Sequence, residues 1–222
     1  MHAHDRTMLA KLGFADPDRR EPLHDLACGY LTLPETVSRL VQLLGLNQPP
    51  IEVRDCVDGM QRTATMSKAV VSHKVNLEWE VAKGHDQYRT TIGFADLVLS
   101  FYVEEAYSNV RVYRPDHDHR CGQFRRPEWQ RSKDFTCGES LTYGIEVKIL
   151  PVSVGDLIRQ IKLYRSYSGV PDWIAVTSAH LTPAEIECLR NESILHMRLG
   201  PAFDEYVESR RLVNIAAPNQ EV

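Results

Sequence analysis

An α/β fold, a mixed β-sheet flanked by helices, is predicted by three features of this 222-residue sequence. Apolar residues recur at a period of two through its middle. Capped helices alternate with short apolar strands towards its end. The order itself, a run of extended segments and then alternating helix and strand, calls for strands of mixed direction.

The elements follow in order. Residues 1–30 are polar and irregular. Residues 32–44 read as a helix, with Thr32 as cap, Pro34 in the first turn and an apolar stripe of Val37, Leu40, Val41 and Leu44. Residues 51–72 read as a short strand and then a helix. From Lys74 onward Val75, Leu77, Trp79 and Val81 alternate with Asn76, Glu78 and Glu80, the pattern of a half-buried strand. After a turn at residues 83–86, residues 88–103 form a second extended segment, interrupted at Gly93. YGIEVKIL, from Tyr143, is a third strand. Ser153 opens a helix through Leu157, Ile161 and Tyr164, with Gly169 just past its end. WIAVT, from Trp173, is a fourth strand, and Thr182 with Glu185 forms a capping box on the next helix. A fifth strand at 195–199 and a helix at 203–210 complete the set. Residues 1–50 thus read as an N-terminal helical and irregular segment, and 51–222 as one α/β domain with a polar insertion at about 104–140.

Composition narrows the function classes. Hydrophobic residues are 43% and charged residues 25%, as in ordinary globular proteins, and no apolar run reaches membrane-spanning length. With no secretory leader at the N-terminus, the expected location is cytoplasmic, with no membrane partner. A net charge of −4 gives no global attraction to nucleic acid, so any such contact must be local. Five scattered cysteines argue for reduced thiols. There is no P-loop, dinucleotide fingerprint or serine nucleophile elbow.

Three features carry chemistry. Asp96 follows Gly93, Phe94 and Ala95 on a strand. Glu146 and Lys148, two apart on the YGIEVKIL strand, project from the same face, and charges on so apolar a strand are costly unless paired or bound to an ion. Gln160 and Tyr164 share one face of the following helix. A hard cation wants carboxylate oxygens, which Asp96 and Glu146 supply, and the Val147 carbonyl between the two charged side chains is a third candidate ligand. Such a cation polarises a phosphoryl oxygen and acidifies a bound water. Lys148 would orient or help deprotonate that water and offset charge on the phosphate. Glu-x-Lys by itself fits an ion pair on a solvated strand face better than a site; the apolar flanks and the helix that follows reverse that balance.

The order G-x-x-D (Gly93 to Asp96), E-x-K (Glu146 to Lys148) and Q-x-x-x-Y (Gln160 to Tyr164) resembles the RecB-like branch of the PD-(D/E)xK nucleases over residues 74–178. The resemblance implies a restriction-endonuclease-like fold and a Mg²⁺- or Mn²⁺-dependent deoxyribonuclease. It makes Asp96 and Glu146 metal ligands and Lys148 the catalytic lysine. Gln160 and Tyr164 would support the site or touch the DNA backbone. The family's first motif, a His or Glu on an earlier helix, is best matched by Glu35, then by Asp58 and His73. The likeness also admits a homodimer, or a subunit of a larger nucleic-acid-processing complex.

The insertion holds Arg111, Arg114, Arg120, Arg125, Arg126, Arg131 and Lys133, interleaved with Tyr113, Phe124 and Trp129. It reads either as a DNA-contacting loop or as a solvated surface loop. His117, His119, Cys121 and Cys137 could bind zinc, but they lack the paired spacing that marks zinc sites, which weighs against it. Glu78 and Glu80 are expected to face solvent, with an outer-ligand role as the alternative. Two other functions stay open: a catalytically silent nuclease-fold DNA-binding or assembly subunit, and a nuclease acting on RNA, which the same metal chemistry would serve.

Overall fold

The computed structural model describes residues 22–57, 60–84, 89–113, 129–149 and 153–216, and it is a mixed β-sheet flanked by helices. Helices α1 (Pro22–Leu31) and α2 (Pro34–Leu43) come first. Strands β1 (Gln48–Val57), β2 (Met60–Lys83), β3 (Thr90–Tyr113), β4 (Trp129–Arg131) and β5 (Phe135–Lys148) follow. The chain then alternates through α3 (Val154–Ser168), β6 (Asp172–Thr177), α4 (Pro183–Asn191), β7 (Ile194–Arg198) and α5 (Pro201–Ala216). Hydrogen bonding orders the strands β1-β2-β3-β5-β6-β7, with β4 paired to β3. β1 runs antiparallel to β2 and β4 antiparallel to β3, whereas β5, β6 and β7 are parallel. Among the described residues, no helix is long and apolar enough to cross a membrane.

The chain divides into two compact units. The first comprises residues 1–37, 74–100 and 142–222. Its core joins Val81, Ala95 and Val98 of the sheet to Leu157, Ile161 and Tyr164 of α3 and to Trp173, Leu189 and Ile194. β6 is buried from Trp173 to Thr177, as expected of a parallel strand covered on both faces. α3 ends where Gly169 takes φ 70°, a left-handed conformation that favours glycine. The capping box predicted at Thr182 and Glu185 is present on α4. Arg165 closes the end of that helix from outside, donating to the carbonyls of Glu192 and Ser193 at 3.0 and 3.1 Å. Against α1, Tyr30 meets Phe203 edge-on at 5.4 Å and Tyr206 at 5.5 Å.

The second unit comprises residues 38–73 and 101–141. Two expectations need correction here. Residues 51–72, expected to hold a short strand and then a helix, are strand on both sides of the β1–β2 hairpin, with Val53 opposite Ala64 and Asp55 opposite Arg62. Thr63, Thr65, Val70 and Val71 are β-branched, and cross-strand partners turn that preference into extended structure. The region 104–140, expected to be irregular, carries β3 as far as Tyr113, all of β4 and the first part of β5. Its polar side chains pair across strands: Lys68 reaches Glu139 at 3.1 Å and Glu105 at 3.4 Å, and Arg62 lies over the stacked rings of Tyr107 and Phe135. A further correction falls in the first unit, where Thr32, expected to cap α2, instead donates its hydroxyl to the Gly29 carbonyl at 2.7 Å.

Gly144 on β5 marks the tightest approach in the first unit. A Cβ there would meet three atoms of the Trp173 indole at 2.6 to 2.7 Å, and that indole is fully buried and held by a 2.9 Å bond to the Val170 carbonyl. Gly144→Ala is therefore expected to destabilise the fold by about 1–3 kcal/mol through overpacking. Urea unfolding checks this, and a loss below about 0.5 kcal/mol, the range of neutral surface changes, would contradict it.

Candidate active site

The chemistry-bearing residues converge within the first unit. β3 supplies Asp96, β5 supplies Glu146 and Lys148, α3 supplies Gln160 and Tyr164, and α1 supplies His24. Parallel pairing sets Glu146 against Ala175 and Val147 against Val176, so the charged residues emerge from a strand walled by apolar neighbours. The Glu146 side chain is 2% exposed, that of Asp96 16% and that of Lys148 25%. The site therefore opens to solvent on the lysine side.

Each contact has a defined donor. Asp96 Oδ2 accepts the Val147 backbone N–H at 2.6 Å, which fixes the aspartate to β5. Glu146 Oε1 accepts from Lys148 Nζ and from Gln160 Nε2, both at 2.7 Å. The same Gln160 amide donates to the Tyr164 hydroxyl at 3.0 Å, and that hydroxyl donates to the Phe94 carbonyl at 3.0 Å. Gln160 and Tyr164 thus form a bridge from Glu146 to the strand segment just before Asp96. Their spacing of four places both on one helical face.

The other Glu146 oxygen is the odd one. Oε2 is buried with no hydrogen-bond partner, a condition that costs about 1–3 kcal/mol. Burial, and next the charge of Asp96, push Glu146 up to about 8, although Lys148 pulls the other way. Burial alone would lower Lys148, but the adjacent Glu146 outweighs it and holds the ammonium above its ordinary value. Lys148 is thus a fixed positive charge here and not a ready base. Burial, then the charge of Glu146, raise Tyr164 so far that it stays a neutral donor.

Of the candidates for a first-motif residue, Glu35 is exposed on α2, Asp58 lies outside the described residues, and His73 belongs to the second unit beside Phe101. The histidine beside Asp96 is His24, with Nε2 3.1 Å from Asp96 Oδ1. The hydrogen bond to Asp96, followed by that to Cys28, lifts His24 to about 11, so the imidazolium donates to the carboxylate at neutral pH. Because this value is raised, the pair's stabilisation is complete below the ordinary value of 6.5 and is lost as pH rises through about 11. The missed signal was PLHDLACGYL, in which His24 and Cys28 lie one turn apart beside the buried Ala27 and Leu31.

The remaining predicted residues fare as follows. Val147 contributes its N–H to Asp96, and its side chain is buried. Glu80 is engaged by Arg89 at 2.8 Å and Thr91 at 2.6 Å, a structural role. Arg111, Arg131 and Lys133 lie in the second unit, while Arg114, Arg120, Arg125 and Arg126 lie outside the described residues. So do His117, His119 and Cys121 of the candidate zinc set; Cys137 is exposed on β5. Comparison with protein-family models, curated proteins and solved structures gives no match.

His24, Cys28 and Asp96 each bring a ligand atom within 4.8 Å of the others and could hold a metal ion. Beside them Glu146 lies in the field of Asp96, and its buried Oε2 has no hydrogen-bond partner. Burial favours the protonated form of this carboxyl, which sets a pH signature. A carboxyl raised from 4.5 to about 8 contributes stability that is present below 4.5 and lost as pH rises through about 8. Glu146→Gln keeps the neutral form. With a chelator present, its stability relative to wild type should climb between about pH 5 and pH 9. Parallel unfolding curves across that range would show that Glu146 is ionised throughout.

Proposed function

We propose that this chain is a Mg²⁺- or Mn²⁺-dependent nuclease of restriction-endonuclease-like fold that hydrolyses phosphodiester bonds of DNA. The observation that carries the reading is Glu146: a carboxylate with an unsatisfied buried oxygen, beside a fixed lysine and within the field of Asp96. Nothing in packing the sheet requires two acids and a lysine there, and a metal-bound phosphate would use all three.

When bound, the cation would polarise the scissile phosphate and acidify a water. Asp96 and Glu146 would hold it, with His24 as a further ligand. A ligating imidazole must be neutral, so loading the site through His24 would release its proton. Lys148 keeps its charge and would stabilise negative charge building on the phosphate. Gln160 orients Glu146, and Tyr164 holds Gln160 in place.

A feature of the second unit supports a polyanionic substrate. Arg111 of β3 and Arg131 of β4 are direct cross-strand partners, both exposed. Like charges placed so are destabilising unless an anion lies between or above them. Next to them the rings of Tyr113 and Trp129 are 5.5 Å apart, and Trp129 is exposed, a surface on which bases could stack.

The test is incubation of purified protein with plasmid and linear DNA, with and without Mg²⁺ or Mn²⁺. Asp96→Ala, Glu146→Ala and Lys148→Ala should each lower metal-dependent cutting by at least about a hundredfold, the scale of losing one group that stabilises a transition state. A variant that cuts at the wild-type rate removes that residue from the mechanism. DNA retained on a gel but uncut with either metal would favour the silent binding subunit, and cutting of RNA alone would move the substrate. His24→Ala should raise the metal concentration needed for half-maximal cutting by about 10–100-fold, and an unchanged requirement would exclude it as a ligand.

A further inference from the structure

Cys28 has no part in the hydrolysis proposed above, yet it lies in the same cluster. It follows His24 by one turn of α1, so the two side chains share a face. Its Sγ lies 3.9 Å from His24 Nδ1. One ligand atom each from His24, Cys28 and Asp96 lie within 4.8 Å of one another. Cys28 is half-buried, unlike Cys56, Cys137 and Cys188, which are exposed.

The donor types decide which ion such a cluster suits. Mg²⁺ takes oxygen and keeps much of its water. Thiolate with imidazole suits Zn²⁺, which accepts three protein ligands and leaves a fourth position for water. In tetrahedral zinc geometry, sulfur and nitrogen ligands are roughly 3.5 Å apart. The 3.9 Å separation here is within a few tenths of an ångström of that. The imidazole presents Nδ1 to Cys28 and Nε2 to Asp96, and one ion takes only one of these nitrogens. Ligation would therefore turn the His24 ring away from one of its two present partners.

We propose that His24, Cys28 and Asp96 form a site for a thiophilic divalent ion of the Zn²⁺ class, with Cys28 as the ligand that selects it over Mg²⁺. Asp96 belongs to both donor sets, so Zn²⁺ here excludes the hard cation proposed for hydrolysis and acts as an inhibitor. Only that regulatory consequence rests on the nuclease reading. Binding itself does not.

The experiment uses the full chain, reduced and stripped with chelator, without DNA. It is titrated with Cd²⁺, whose thiolate charge-transfer absorption reports sulfur ligation, and Zn²⁺ affinity is read by competition. Wild type should develop a band that Cys28→Ser and Cys28→Ala remove and that Cys121→Ser and Cys188→Ser retain. Zn²⁺ affinity should fall at least about tenfold in both Cys28 variants, since losing a direct ligand costs no less than losing its support. Thermal melting in chelator checks that the variants fold. Should they not, Asp96→Asn keeps the thiol and must weaken Zn²⁺ by the same factor. No band in wild type, a band unchanged without Cys28, or unchanged Zn²⁺ affinity in Asp96→Asn overturns the site. None of these outcomes bears on DNA cutting, so the two readings fail separately.

Discussion

Everything around the site depends on keeping the Glu146 carboxyl inside an apolar sheet. A buried charge of this kind costs several kcal/mol unless it is neutralised or solvated by fixed dipoles. The chain answers with both. Lys148 and Gln160 converge on one oxygen, and Tyr164 holds the glutamine from behind while anchored on the Phe94 carbonyl. This line of bonds runs from β5 through α3 to β3, so α3 is tied to the sheet by polar contacts as well as by Leu157 and Ile161. The second oxygen has no hydrogen-bond partner.

Asp96 solves a different problem. Its two oxygens are divided between a backbone N–H of β5 and the imidazole of α1, so one side chain positions elements from distant parts of the chain. The backbone bond needs no rotamer of a second side chain, which makes it the more rigid of the two. The imidazole contact is softer, since His24 is held only by its own helix and by Asp96. Rigid attachment on the strand side and a softer cationic partner on the helix side would suit the exchange of one positive partner for another that the proposed cation site requires.

Much of this was legible in the sequence, and the reasons differ by element. β6, α3 and α4 announce themselves because their signals are local: an apolar run, a glycine past the last turn, a capping box. Asp96, Glu146, Lys148, Gln160 and Tyr164 were legible because strand and helix periods place them on shared faces. The β1–β2 hairpin and the strands within 104–140 were not. Their sequences are polar, and only pairing such as that of Lys68 with Glu105 and Glu139, far along the chain, makes them extended. His24 was missed for a related reason. A ten-residue helix with charged and small residues shows little periodicity until its packing against Phe203 and Tyr206 is known.

The metal-free cluster carries its own counter-charges, and this shapes what the site can do. Asp96 is matched by the His24 imidazolium, Glu146 by a proton and by Lys148. On the nuclease reading, an incoming cation would gain the carboxylates by displacing protons from His24 and Glu146, and Lys148 would keep its charge. Proton occupancy would then oppose loading, so stability and readiness for chemistry would change in opposite directions with pH. Such opposition is expected where a protein holds charged groups for a partner it does not always contain.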